Sequence, residues 1–184
     1  MILFTQQKNH NALFLHRKNV LKNIIAMIAL LSFSVYGFSD TAEQSQHCIA
    51  PGAQQNLEIA TAYLATNKTK QGVISTPTGL QYQVVKSGDG KTIPTPRSEV
   101  VAHYELFNLA GKKLESSRDR GIPLQFKVGR VISGWTEALL TMSVGEQRIL
   151  TIPPHLAYGC RGAGRMIGSN ELLIFNMELI HIEK

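Results

Sequence analysis

The sequence has little of what metal-dependent or nucleotide-dependent enzymes require. Its 184 residues include two cysteines and six histidines, and no two histidines stand at the i, i+4 spacing of a helical zinc site. It has no phosphate-binding glycine loop of the P-loop type and no Gly-x-Ser-x-Gly motif, and Ser116-Ser117 has no evident base partner. We therefore expect no metal and no cofactor, and the sequence gives a serine hydrolase little support.

Charge is also sparse, and its excess is confined to one end. Charged residues make up 17% of the chain and hydrophobic residues 43%, which is typical of a globular protein. The formal charge of +6 could suggest a nucleic-acid partner. Four basic residues, however, precede the first acidic residue, Asp40, and without residues 1–39 the charge falls to +2. We therefore predict no nucleic-acid partner.

No apolar run has the length of a comfortable membrane span. The uncharged segment 24–35 follows a basic stretch and precedes the small residues Gly37 and Ser39, the order of a secretory signal peptide. A spanning helix needs about 20 apolar residues. We predict that residues 1–39 are a signal peptide, that no stable membrane span remains after cleavage, and that the protein is exported: periplasmic, outer-membrane-associated or secreted. An uncleaved N-terminal anchor is the alternative.

The two cysteines, Cys48 and Cys160, fit no metal or redox motif. An oxidising compartment would permit them to pair. The sequence leaves open a disulfide between them, two free thiols or an intermolecular bridge.

Hydrophobic periodicity divides the rest of the chain into an arm, residues 40–78, and a domain, residues 79–184. In the arm, Leu57, Ala60 and Leu64 recur at helical spacing and predict a short helix over 54–66, whose apolar face must pack on the domain or on a second copy. In the domain, alternation predicts strands at 80–84, 100–107, 113–116, 124–128, 146–152 and 171–182, and one short helix within 134–142. The predicted fold class is α+β: a curved antiparallel sheet wrapped around one short helix.

Aromatic and branched residues next to glycine turns could simply form a core. Their order is more specific: His103-Tyr104, Gly-Lys-Lys-Leu-Glu-Ser-Ser-Arg-Asp-Arg at 111–120, Val-Ile-Ser-Gly-Trp at 131–135, Leu-Ala-Tyr-Gly at 156–159 and Leu-Ile-Phe at 173–175. This series resembles the FKBP family of macrolide-binding peptidyl-prolyl isomerases. Residues 77–82 and 135–139 are similar to its exported bacterial branch, which includes the macrophage infectivity potentiator proteins.

The resemblance implies a role for each matching residue. Trp135 would be the floor under the substrate proline, and Tyr104, Glu115 and Tyr158 would be the catalytic group, with Tyr158 donating its hydroxyl to a substrate carbonyl. The remaining substrate-binding positions would be Leu114, Leu124, Phe126, Val131, Ile132, Ile167 and Phe175. The plainer readings are a core tryptophan at a helix start and a simple turn at Tyr158-Gly159.

The chain departs from the family at two places. Leu114-Glu115 stands where the family usually has Phe-Asp, and Leu124 stands where a further aromatic is common. Glu115 would pair with Arg120, unless that pair is a solvated ion pair of little consequence. We expect from these changes a wider, softer cavity and reduced catalysis.

The resemblance predicts a peptidyl-prolyl cis-trans isomerase that assists the folding of exported proteins. Its partners would be proline-containing polypeptides, and macrolide inhibitors are further candidate ligands. The alternative is a non-catalytic chaperone or protein-binding module that keeps the FKBP fold.

Overall fold

The computed structural model of the chain describes residues 48–183. The predicted signal peptide lies outside these residues. The helices are α1 (Ala53–Asn67) and α2 (Ser133–Leu139), and the strands are β1 (Val73–Ser75), β2 (Gln81–Lys86), β3 (Glu99–Phe107), β4 (Lys113–Ser116), β5 (Leu124–Lys127), β6 (Gln147–Ile152) and β7 (Leu173–Ile182). Within this part of the chain, neither helix is long and apolar enough to cross a membrane.

All seven strands form one antiparallel sheet in the order β1-β2-β6-β7-β3-β4. β7 pairs with β3 from Val100 to Phe107, so β4 and β5 share the other edge of β3. β5 takes the half around Glu99–Ala102, and β4 takes the half around Glu105–Phe107. The predicted α+β class and the antiparallel sheet with one short helix are confirmed.

The core lies between α2 and one face of the sheet. Alternate residues of β3 and β7, such as Tyr104, Leu106 and Phe175, are buried there together with Trp135 and Leu139 of α2. This alternation is what period-two patterning produces when a sheet has one buried face.

Gly134 sets how closely α2 approaches the sheet. A Cβ at this position would lie 2.6 Å from Cγ2 of Ile152, which is completely buried in β6. Only glycine therefore permits this spacing, and α2 begins directly against β6.

A buried ion pair fastens the end of α2 to β6. Nε of Arg148 donates to Oε1 of Glu146 at 2.5 Å, and its other nitrogens donate to the hydroxyl and carbonyl of Thr141. The second carboxylate oxygen of Glu146 accepts the backbone N–H of Ser143. Both charges are thus compensated by hydrogen bonds, which is the condition for burying them without a large penalty.

The arm folds against the domain mainly through polar contacts. The side chains of Asn67 and Gln81 join the end of α1 to β2, and Asn56 donates to the carbonyl of Ser169 in the loop before β7. Ala53 and Ala60 are buried, but Leu57 and Ile59 stay about half exposed. The predicted helix is confirmed, whereas its apolar spacing describes only part of its contact with the domain.

Cys48 and Cys160 form a disulfide, with their Cα atoms 5.5 Å apart. Of the three readings that the sequence left open, the structure selects the pairing within the chain. The bridge spans 112 residues and joins the start of the described arm to the loop after β6. Together with Asn56, it attaches the arm to this loop.

Candidate active site

A cavity of about 790 Å³ opens beside α2. It lies between the core strands and two connecting segments, residues 130–132 and 158–167. Its lining consists of Tyr104, Leu106, Glu115, Leu124, Arg130, Val131, Ile132, Trp135, Tyr158, Ala163, Gly164, Arg165, Met166, Ile167 and Phe175. Most of these side chains are apolar, as in sites for small organic ligands.

Trp135 is held at the start of α2 by three other aromatic rings. Its ring lies 5.0 Å from that of Tyr104, 5.1 Å from that of Phe175 and 5.4 Å from that of Phe126, measured between centroids. The contacts with Tyr104 and Phe175 are edge-on, a favourable aromatic geometry. Only 6% of Trp135 is exposed. The lining tryptophan is therefore fixed in position before any ligand binds.

The indole N–H of Trp135 is buried and has no hydrogen-bond partner among residues 48–183. An unpaired buried donor costs about 1–3 kcal/mol. Such groups are rare in folded proteins and are retained mostly where a ligand or a function uses them.

Tyr104, Glu115 and Arg120 form a polar chain at one wall. The hydroxyl of Tyr104 donates to Oε1 of Glu115 at 2.5 Å, and Nη1 of Arg120 donates to the same oxygen at 2.9 Å. Burial, followed by the hydrogen bond to Glu115, raises the pKa of Tyr104. The phenol therefore stays neutral at physiological pH and continues to donate to Glu115.

The predicted pairing of Glu115 with Arg120 is present in the structure. Both side chains are more than 40% exposed, so the pair alone contributes little stability. Its consequence is geometric, because the carboxylate that Arg120 holds also accepts the hydroxyl of Tyr104 and so fixes that ring at the cavity wall.

Tyr158 lies on the segment after β6, and its side chain is 40% exposed. Its hydroxyl has no hydrogen-bond partner in the described part of the chain, so it is free to donate to a ligand. The backbone around it is fixed, because Gly162 donates to the carbonyl of Tyr158 and Cys160 carries the disulfide to Cys48.

The segment 162–167 closes on itself next to Tyr158. The N–H of Ala163 donates to the carbonyl of Ile167 at 2.9 Å. Gly162 has φ +61°, and a Cβ there would lie 2.4 Å from the oxygen of Ile167, so glycine is required. This tight closure places the side chain of Ile167, 7% exposed, in the cavity wall.

The structure brings together most of the residues that the sequence predicted for the site. Those that line the cavity are Tyr104, Glu115, Leu124, Val131, Ile132, Trp135, Tyr158, Ile167 and Phe175. Leu114 and Phe126 are not part of the lining; both pack against the core, and Phe126 supports the ring of Trp135.

Sequence reasoning did not single out Leu106, Arg130, Ala163, Gly164, Arg165 and Met166, which also line the cavity. Leu106 could have been found, because it is two residues from Tyr104 and shares its face of β3. The others lie outside the strands and helices, where no periodic signal places a side chain.

Comparison with known proteins agrees with this geometry. The family model described as FKBP-type peptidyl-prolyl cis-trans isomerase matches residues 90–180, and the model of the domain amino terminal to it matches residues 15–84. The chain is 43% identical over 129 residues to the peptidyl-prolyl cis-trans isomerase Mip of Coxiella burnetii, covering 70% of this chain and 56% of that protein. It is 43% identical over 111 residues to FK506-binding protein 1 of Debaryomyces hansenii, covering 59% of this chain and 99% of that protein.

A solved structure shows the same architecture. The peptidyl-prolyl cis-trans isomerase of Pseudomonas syringae pv. tomato superposes with a TM-score of 0.66 at 32% identity, over 73% of this chain and 98% of that one. The chain spans about half the length of the bacterial Mip and FkpA relatives that it matches. Over the domain that carries the cavity, the agreement in sequence, fold and aromatic site is continuous, and the chain belongs to the family of FKBP-type peptidyl-prolyl cis-trans isomerases.

Proposed function

We propose that the protein catalyses cis-trans isomerisation of X-Pro peptide bonds in exported polypeptides. The observation that carries this proposal is the apolar cavity around Trp135, a ring already fixed by Tyr104 and Phe175. A proline ring is apolar and compact, and it suits such an enclosure. Enzyme action requires only that the cavity bind the twisted bond better than the planar one.

The chemistry needs no nucleophile. Amide resonance gives the peptide bond a barrier of about 18–20 kcal/mol. The resonance form is dipolar, so an environment with little water weakens it and favours the twisted state, in which less charge is separated. Each 1.36 kcal/mol removed from the barrier accelerates the reaction tenfold.

The polar groups of the site then have distinct roles. Tyr158 donates its free hydroxyl to a carbonyl of the substrate. Glu115 and Arg120 hold the ring of Tyr104 against the proline and thus act on the shape of the cavity. Leu114 and Phe126 contribute through packing behind the lining.

Export is part of the proposal. Its support is the basic, apolar and small-residue order of residues 1–39, together with a disulfide of the kind that persists in oxidising compartments. A relative from Legionella longbeachae bears the name outer membrane protein MIP. We propose further that macrolides of the type bound by other members of the family occupy the same cavity.

The test measures cis-to-trans exchange of a short neutral Leu-Pro peptide by NMR, with and without the protein. We expect acceleration that the macrolide abolishes. Trp135→Leu should reduce it strongly, whereas Tyr63→Leu, which removes an aromatic ring of α1 outside the cavity, should not. If Trp135→Leu does not fold, Tyr158→Phe serves in its place.

Absence of acceleration by the folded wild type would overturn the proposal. If the same protein then suppressed aggregation of an unfolded client, it would be a non-catalytic binding module.

A further inference from the structure

The cavity carries a charge that its apolar lining does not explain. Arg130 and Arg165 both belong to the lining, and both side chains are exposed at its rim. Arg130 ends the turn after β5, and Arg165 lies in the closed segment after Tyr158, so two separate segments each bring a guanidinium to the opening.

Neither arginine has a carboxylate partner among residues 48–183. The ion pairs found there use Arg118, Arg120 and Arg148 but not Arg130 or Arg165. Glu115 is the one carboxylate of the described lining, and it is occupied by Tyr104 and Arg120.

Two nearby carboxylates are engaged in local contacts. Glu137 of α2 accepts the hydroxyl of Thr78, and Glu171 accepts the backbone N–H of Gly168. Neither of them lies within ion-pair distance of the two rim arginines.

A second, adjoining pocket extends the same basic surface. It has a volume of about 510 Å³ and shares Tyr158, Ala163 and Gly164 with the main cavity. Its one ionisable cation, Arg161, is exposed and also has no ion pair within the described chain. A polypeptide that leaves the cavity past Tyr158 therefore meets a third guanidinium.

We propose that the site prefers prolines with an acidic residue directly before or after them. This inference rests on the proposed function and specifies its substrate class. With the proline ring over Trp135, the neighbouring side chain lies at the rim, where a carboxylate supplies the partner that the arginines lack. Arginine forms two parallel hydrogen bonds to a carboxylate, which adds a geometric preference to the attraction.

The size of the effect follows from the exposure of both arginines. Exposed ion pairs are weak and are screened by salt. We therefore expect a preference of about fivefold at low ionic strength that declines as salt is added.

The test uses two matched pairs of otherwise neutral peptides, Glu-Pro against Gln-Pro and Pro-Glu against Pro-Gln. NMR exchange gives kcat/KM without a coupling protease whose own specificity would interfere, and the fluorescence of Trp135 gives Kd. We expect the glutamate peptide to be favoured in at least one pair. Arg130→Gln with Arg165→Gln should bring that ratio close to one, while Lys91→Gln with Arg97→Gln, which removes the same charge outside the lining, should leave it unchanged.

Equal values for glutamate and glutamine in both pairs, or a preference that survives loss of both rim arginines, would overturn the inference. Binding with acid preference but without catalysis would support the inference and refute the proposed isomerase activity. Failure to bind any of the four peptides would refute both.

Discussion

At the scale of single residues, Tyr104 joins the packing of the cavity to its polar wall. Its ring contacts Trp135 edge-on, and its hydroxyl donates to Glu115. A hydrogen bond to a charged group contributes about 1.5–3 kcal/mol, but the carboxylate of Glu115 is 41% exposed, which reduces its share. Removing the hydroxyl should therefore affect stability moderately while the aromatic packing remains.

We predict that Tyr104→Phe lowers the free energy of unfolding by about 1 kcal/mol at neutral pH. The effect should also depend on pH. Because burial and Glu115 raise the pKa of Tyr104, the stabilisation is fully present below the ordinary tyrosine pKa of about 10 and is lost as pH rises through the higher folded value. Urea unfolding at neutral and alkaline pH measures both.

In that experiment, Tyr63→Phe is the control, since Tyr63 lies on α1 outside the cavity. An equal alkaline loss in wild type and Tyr104→Phe would show that Tyr104 has no raised pKa.

Tyr158 should matter to the reaction more than to the fold. Its hydroxyl is unpaired within the described residues and 40% exposed, so Tyr158→Phe should leave the free energy of unfolding nearly unchanged. If the hydroxyl donates to the twisted bond, kcat/KM should fall by the equivalent of about 1–3 kcal/mol, with Glu115→Gln causing a smaller loss. Peptide exchange measured by NMR gives the three values, and an unchanged rate for Tyr158→Phe would remove its catalytic role.

Single residues also show where sequence reasoning ends. The pairing of Glu115 with Arg120 was predictable from their spacing, but the contact with Tyr104 depends on the register in which Leu106 faces Glu115 across β3 and β4. Adjacent residues of a strand point to opposite faces. The lining accordingly includes Glu115 and not Leu114, although the resemblance assigned both to the site.

At the scale of elements, the disulfide connects the arm to the segment that carries Tyr158. Closing a loop of this length restricts the unfolded chain and typically contributes about 2–4 kcal/mol. We predict that Cys48→Ser with Cys160→Ser lowers the free energy of unfolding by this amount, measured by urea titration. Reductant should destabilise the wild type equally and leave the double variant unaffected.

If reductant has no effect on the wild type, the bridge does not contribute to stability in solution. A fall in peptide affinity of the double variant, measured by Trp135 fluorescence, would show in addition that the bridge positions the cavity segment.

The contact between α2 and β6 is the second element-scale test. Gly134→Ala would place a methyl group 2.6 Å from a side-chain carbon of the fully buried Ile152. Overpacking of this kind costs about 1–3 kcal/mol. Thermal or urea unfolding should show this loss, whereas Ser133→Ala, at the exposed neighbouring position, should show much less. Equal stability of the two variants would contradict the close approach.

The elements themselves were largely predictable. The strands of the domain and α1 begin and end within about two residues of their predicted limits, because one buried face imposes period two on strands and 3.6 on helices. β1, with three residues, is too short to carry a period. The pairing of cysteines 112 residues apart and the polar attachment of α1 depend on tertiary distances that no local pattern contains.

At the scale of the whole molecule, the fold turns a curved sheet and one short helix into an enclosure. The order of the motifs indicated this fold through the family resemblance, but the opening and its charge depend on segments 128–132 and 158–167, which have no periodicity. The expected wider cavity and weaker catalysis remain predictions. Of the two leucines on which they depend, Leu124 lines the cavity and Leu114 does not.

The central claim is that an apolar enclosure, and not proton transfer, accelerates the reaction. Among the described lining residues there is no histidine and no free thiol, and the raised pKa of Tyr104 keeps its phenol neutral. The most direct test is the dependence of kcat/KM on pH for a neutral Leu-Pro peptide. The account predicts a flat profile between about pH 6 and pH 9, since general acid-base catalysts titrate there and this site has none. A bell-shaped profile, or a tenfold change across this range without unfolding, would contradict it.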